Sequence, residues 1–255
     1  MKQLREVEAL GAARLILRAQ GIIAIKGLGG YHLISDARSV NTILRLRTSK
    51  QRPHKPFAVM FRNLATLQSE LYAFPPAMRM LTSLAKPIVI LRRRETSTLP
   101  HILAPGLDTI GAILPYTPLH EALFDEVLDV LVVTSANGGG EPVIFQDDMA
   151  QKRLAEIADG ILTHDHQIRY PVDDSVLYYL DASEFDQPKD EPRESVSVAY
   201  MTPRDGGFEE RKSMENTAQT RPIFIRRGRG YLPVSLPLRE PLGQTILGCG
   251  SDIKS

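Results

Sequence analysis

Ile22-Ile23-Ala24-Ile25-Lys26-Gly27-Leu28-Gly29-Gly30-Tyr31-His32-Leu33-Ile34 sets two apolar runs on either side of a lysine and three glycines. The first run is short, β-branched and free of charge, so Ile22 to Ile25 reads as a buried strand, and Tyr31 to Ile34 reads as extended. Before it, Val7, Leu10, Ala13 and Leu17 recur at helical spacing up to Gly21, which is expected to cap that helix. Working outward, strand and helix signals keep alternating. Ser39 is placed to cap a helix through Arg47, Phe57 to Met60 reads as a strand, and helices are expected over Asn63 to Leu71 and Pro76 to Leu84. Further strands are expected at Ile88 to Leu91, Thr109 to Leu114, Val130 to Thr134, Ser175 to Tyr179 and Pro222 to Arg226. That rhythm predicts an α/β or α+β fold with helices on the faces of a sheet.

With 255 residues and 43% hydrophobic content, the chain is long enough to bury a full core. Its one cysteine, Cys249, excludes an internal disulfide and a cysteine-based zinc site, and fits a reducing, cytoplasmic setting. No run approaches ~18 uninterrupted apolar residues, so no membrane partner is expected. One segment breaks the rhythm: Asp181 to Thr220 holds ten carboxylates against five basic residues, and reads as a disordered acidic insertion. Near the end, Thr245 to Gly248 is again sheet-like.

The formal net charge is only +1, yet Ala37 to Ser69 contains seven basic residues and no carboxylate. That asymmetry points to an anion. At its centre, Lys50-Gln-Arg52-Pro-His-Lys55-Pro56 sets two prolines around its cations, restricting the backbone that carries them. Arginine can clamp phosphate oxygens with two donors, and lysine supplies a point charge. A second element, Val132-Val-Thr134-Ser135-Ala-Asn137-Gly-Gly-Gly140, runs an apolar strand into hydroxyls, an amide and glycines, where α/β sheets bind ligands. Asp173-Asp174-Ser175 either holds a cation, orients an arginine or simply enters a strand, and Arg226-Arg-Gly-Arg229 bears on a site only if the fold returns it. His164-Asp165-His166 has two imidazoles but no evident third metal ligand. The chain lacks a Walker loop, a Rossmann fingerprint and a nucleophile elbow.

In order, Lys26-Gly-Leu-Gly-Gly-Tyr-His-Leu33, Lys50-x-Arg-Pro-x-Lys-Pro56, Leu114-Pro-Tyr-Thr-Pro-Leu-His120, Thr134-Ser-Ala-Asn137, Asp173-Asp-Ser175 and Arg226-Arg-Gly-Arg-Gly-Tyr231 resemble the YrdC-like domain of the HypF carbamoyltransferases of hydrogenase maturation. The resemblance implies a twisted mixed sheet with flanking helices and a basic concave cavity that binds ATP with Mg²⁺. It implies a domain over residues 1–237 and a tail over 238–255 resembling the first strand of a Kae1-like domain. The implied reaction makes carbamoyl-adenylate from ATP and carbamate or carbamoyl phosphate, with release of pyrophosphate. The implied catalytic residues are Lys50, Arg52 and Lys55. ATP would meet these together with Thr134, Ser135, Asn137, Asp174, Ser175 and Arg226, while Lys26, Gly29 and Tyr31 would meet the small substrate. No protein ligand for Mg²⁺ is expected. Implied partners are a Kae1-like domain or a hydrogenase maturation protein. Three positions depart from the pattern: Pro171 and His166 stand where the family has arginine, and Gly139 where it has serine. The alternatives are threonylcarbamoyl-adenylate synthesis for tRNA modification and a double-stranded RNA-binding module.

Overall fold

The computed structural model describes residues 6–138, 140–180 and 221–232. In chain order the elements are α1 (Glu6–Arg18), β1 (Ile23–Lys26), β2 (Tyr31–Asp36), α2 (Val40–Ser49), β3 (Ala58–Phe61), α3 (Leu64–Glu70) and α4 (Pro75–Thr82). There follow β4 (Ile88–Arg92), β5 (Thr109–Ile113), α5 (Pro118–Leu123), β6 (Val130–Ser135), α6 (Asp147–Leu154), β7 (Gly160–Leu162), β8 (Val176–Leu180) and β9 (Arg221–Arg226). The strands form one mixed sheet in the order β7-β1-β2-β6-β3-β5-β4-β8-β9. Strand β6 is antiparallel to both its neighbours, pairing His32 with Ser135 on β2 and Ala58 with Val133 on β3. The carboxyl end of β6 therefore meets the beginnings of β2 and β3. By register alone, the glycine-rich turn before β2 and the Lys50–Pro56 loop before β3 arrive at the same end of the sheet.

Helix α1 packs on β1, β2, β7 and α5, while α2, α3 and α4 pack on β2, β3 and β4. A continuous core joins Ala13, Leu17 and Leu123 of the helices to Ile25, Ile34, Met60, Ile113 and Val133 of the strands. Leu17 is fully buried, and a side chain of this size contributes on the order of 2 kcal/mol when taken from water.

Among the described residues each expected strand forms to within a residue or two. The Gly21 amide closes α1 by donating to the Ile16 carbonyl at 2.8 Å, but the left-handed residue is Gln20 (φ 61°), and Gly21 is needed for close packing. A Cβ at Gly21 would lie 2.5 Å from Ile16 Cγ2. Helices α5 and α6 and strand β7 are additions to the sequence reading. Beyond β7, His164 and His166 lie off the strand, ring centroids 6.3 Å apart. Among the described residues no group of three His, Cys, Asp or Glu could hold a metal. No described helix is long and apolar enough to cross a membrane.

By internal contacts the chain divides into a larger unit, Met1–Tyr178 with Phe224–Ser255, and a smaller one, Tyr179–Ile223. The smaller unit is described only at the end of β8 and the start of β9. The acidic segment Asp181 to Thr220, the tail 238–255 with Thr245 to Gly248, and Gly139 lie outside the described residues.

Candidate functional site

Helix α2 starts at Ser39, whose hydroxyl accepts from the Thr42 amide, and ends with Gln51 in the left-handed region (φ 48°). The Arg52 amide closes that end by donating to the Arg47 carbonyl at 2.9 Å. Arg47 then holds the whole loop. Its guanidinium donates to the carbonyls of Ile102, Leu103, Arg52, Pro53 and Lys55 at 2.5–3.2 Å. The guanidinium groups of Arg47 and Arg52 both lie over Phe57, 4.6 and 4.9 Å from the ring centroid.

Two cations are thereby fixed at the end of β6. Lys50, buried, donates from Nζ to the carbonyls of Ser135 and Asn137, each at 2.5 Å. Arg52 donates to the Thr134 hydroxyl at 3.1 Å and to the carbonyls of Lys55 and Pro56. Among the described residues every hydrogen-bond acceptor of Arg52 is a neutral oxygen. Burial, with Arg47 and Arg226 adding like charge, lowers its pKa to about 10. A guanidinium so placed gains from an incoming anion. Lys55 is exposed, and its carbonyl serves the two arginines.

The loop after β6 is tied to itself. Asn137 Nδ2 donates to the Glu141 carbonyl, and the Gly138 amide donates to Glu141 Oε2 at 3.2 Å. Arg153 of α6 holds the Glu141 carboxylate at 2.7 Å. Asn137 Oδ1 is buried without a hydrogen-bond partner among the described residues. Beside the loop lies a cavity of about 440 Å³, its lining including Lys50, Gln51, Ala136, Gly138, Glu141 and Arg153. Glu141 and Arg153 escaped the sequence reading because their pairing depends on where α6 docks.

The second arginine group does return. Arg226 donates from Nε to the Asp174 carbonyl at 2.9 Å and lies 3.7 Å from the Asp173 carboxylate. Asp174 is buried and bound by Arg229 Nε at 2.6 Å. Burial alone would raise the pKa of its carboxyl, but His32 and Arg229 hold it far below the usual carboxylate range. The Ser175 hydroxyl accepts from the Gly228 amide at 2.7 Å and donates to the Arg229 carbonyl at 3.0 Å. Asp174 and Ser175 thus position the arginine strand. Of the three open readings for the carboxylate pair, orienting an arginine matches this geometry.

Lys26 and Tyr31 form a different cluster. Lys26 Nζ donates to Asp147 Oδ2 at 2.9 Å and to the His164 carbonyl at 3.0 Å. Tyr31 Oη donates to Asp147 Oδ1 at 2.7 Å and shares a bond with Thr163 Oγ1 at 3.0 Å. Burial, reinforced by Asp147, pushes the Tyr31 hydroxyl well above its ordinary range. These contacts anchor α6 to β1 and β2. At Gly29 a Cβ would lie 2.1 Å from the Val172 carbonyl, so glycine there admits a crossing backbone. The departures Pro171 and His166 are both exposed.

The family model for Sua5, YciO and YrdC proteins, described as "Telomere recombination", matches residues 15–185. The chain is 34% identical over 248 residues to the carbamoyltransferase HypF of Synechocystis sp., covering 97% of this chain and 27% of that protein. It is similar to the crystal structure of T. kodakarensis HypF at 39% identity and TM-score 0.68, covering 71% of this chain and 24% of the other. Full-length HypF in its phosphate- and nucleotide-bound form is similar at 35% identity and TM-score 0.65, covering 68% of this chain and 27% of the other. The chain spans about a quarter of the length of such relatives.

Proposed function

Because the chain belongs to the family of Sua5, YciO and YrdC proteins, we propose that it is the nucleotide-binding part of a carbamoyltransferase, joining carbamate to AMP. A carbamate oxygen attacks the α-phosphorus of ATP, the bond from that phosphorus to the β-phosphate bridging oxygen breaks, and pyrophosphate leaves. The carbamate N–H bonds are untouched. Such a step needs alignment and charge neutralisation more than a covalent nucleophile.

One observation carries the reading. Arg52 is held at the end of β6 by neutral acceptors, beside Arg47 and Arg226. A triphosphate would relieve that like-charge crowding. Lys50 and Arg52 take its oxygens, Arg226 closes over them, and the loop of Ser135 and Asn137 receives the nucleoside beside the 440 Å³ cavity. The buried, unsatisfied Asn137 Oδ1 offers an acceptor to an adenine amine. Mg²⁺ in this reading arrives with the triphosphate. Residues 1–237 act as the adenylating unit, and 238–255 lead toward a Kae1-like domain that takes the product.

The test is pyrophosphate release from ATP and Mg²⁺ with bicarbonate plus ammonium, beside threonine plus bicarbonate and a no-substrate control. Carbamate-dependent release is expected. Release that depends on threonine, or none despite bound ATP, overturns the reading.

A further inference from the structure

Behind Arg226 five side chains close a circuit. Asp174 Oδ2 lies 3.4 Å from His32 Nε2, and the His32 and His120 ring centroids are 6.3 Å apart. His120 meets Tyr116 edge to face at 4.5 Å, the Arg229 guanidinium sits 3.5 Å over the Tyr116 ring, and Arg229 Nε returns to Asp174 Oδ1. His120 has no exposed surface. Among the described residues both its ring nitrogens, and the Tyr116 hydroxyl, are buried without a hydrogen-bond partner. His32 Nδ1 is also unpartnered, but it lies against Gly27, where a Cβ would sit 2.9 Å away. It is a wall atom.

Buried polar atoms find partners in native proteins, and leaving one unsatisfied is costly. Three such atoms on two touching rings therefore call for an occupant. Burial, with His32 and Arg229 nearby, lowers the His120 pKa to about 3. Its neutral ring offers one N–H donor and one lone pair, and the phenol offers a further donor or acceptor. A carbamate has both complements: carboxylate oxygens that accept and an amine that donates. We propose that Tyr116 and His120, walled by His32, Asp174 and Arg229, bind the small carboxylated substrate, a carbamate. The Asp174 carbonyl, bonded to Arg226, connects this circuit to the cations at the triphosphate. The inference rests on the adenylation reading above and adds the substrate subsite to it.

Long-range ¹H–¹⁵N spectra of the histidine-labelled full chain, with a non-hydrolysable ATP analogue bound, test occupancy directly. On adding bicarbonate and ammonium, the His120 ring signals should shift, and the four histidines outside the circuit serve as controls. In turnover, His120→Leu should raise the KM for carbamate about tenfold, the effect of one lost hydrogen bond, with ATP affinity unchanged. Tyr116→Phe removes one hydroxyl and should raise that KM about threefold, which keeps the test open if His120→Leu fails to fold. His120 signals unmoved by carbamate, or moved equally by threonine with bicarbonate, overturn the inference. A shift of His120 without pyrophosphate release supports the subsite and sinks the adenylation reading.

Discussion

Arg38 and Arg52 come from the same carboxylate-free run, yet the fold treats them oppositely. Arg38 is clamped by carboxylates from distant segments, donating to Asp129 at 2.9 and 3.1 Å and to Glu70 at 2.9 Å. Those bonds, Asp129 first, raise its pKa although burial opposes them. Among the described residues Arg52 is given only neutral oxygens and two like-charged neighbours, and its pKa falls to about 10. A basic run is thus sorted by tertiary structure. Arg38 and Arg45 are neutralised by Asp129, Glu70 and Asp159, Arg47 organises a loop, and Arg52 donates to neutral oxygens at the end of β6.

The contrast breaks first at Arg52. Arg52→Ala should lower carbamate-dependent pyrophosphate release by about 10²–10³-fold in steady-state assays, as loss of one preorganised electrostatic contact does elsewhere. Arg47→Met should act on folding: five carbonyls lose their donor, and the denaturation midpoint should report a loss of roughly 2–3 kcal/mol. Arg38→Met should cost roughly 1–3 kcal/mol by the same measurement, because buried Glu70 loses a charged partner, while the KM for ATP stays put. A changed KM there would erase the distinction.

Acid should expose the Arg38 cluster too. Burial alone would raise the Glu70 pKa, but bonds from Ser97, Thr98 and Arg38 outweigh it and hold the carboxyl below its usual 4.5. A depressed folded-state pKa gives stability that is present above pH 4.5 and fades as pH falls through the folded value. Thermal melts across that window should therefore slope less in Glu70→Gln. Smallest is Arg45→Ala, whose pair with Asp159 is about two-fifths exposed and should contribute under ~1 kcal/mol.

The sheet was legible because its strands are short, β-branched and bounded by turn residues, a signal that local sequence carries. Strand order was not. That β6 lies between β2 and β3 follows from pairings over tens of residues, and only those bring Lys50 to Ser135. Helix α5 had a readable signal in Thr117, whose hydroxyl accepts from the His120 amide, ahead of Pro118 at the first helical position. In α6, Asp147 and Asp148 in the first turn and Lys152 and Arg153 in the last complement the helix dipole. Both helices are short and were hidden by loop-like flanks. Among candidate site residues, Lys50, Arg52 and Asn137 stand out in the sequence by residue type and spacing. The bonds of Lys26 and Tyr31 to Asp147, and the burial of His120, depend on tertiary packing that local sequence does not show.

The bonds between Ser175 and the Gly228–Arg229 backbone span 53 and 54 residues, and Arg226 reaches Asp174 across 52. The strand pairs around β6 have no need of them. Strand β9, which ends at Arg226, is the edge strand of the sheet, whereas β6 is paired on both sides. Amide exchange should accordingly be faster at Gly228 than at Val132, and the nucleotide proposed to lie under Arg226 would enter from that edge.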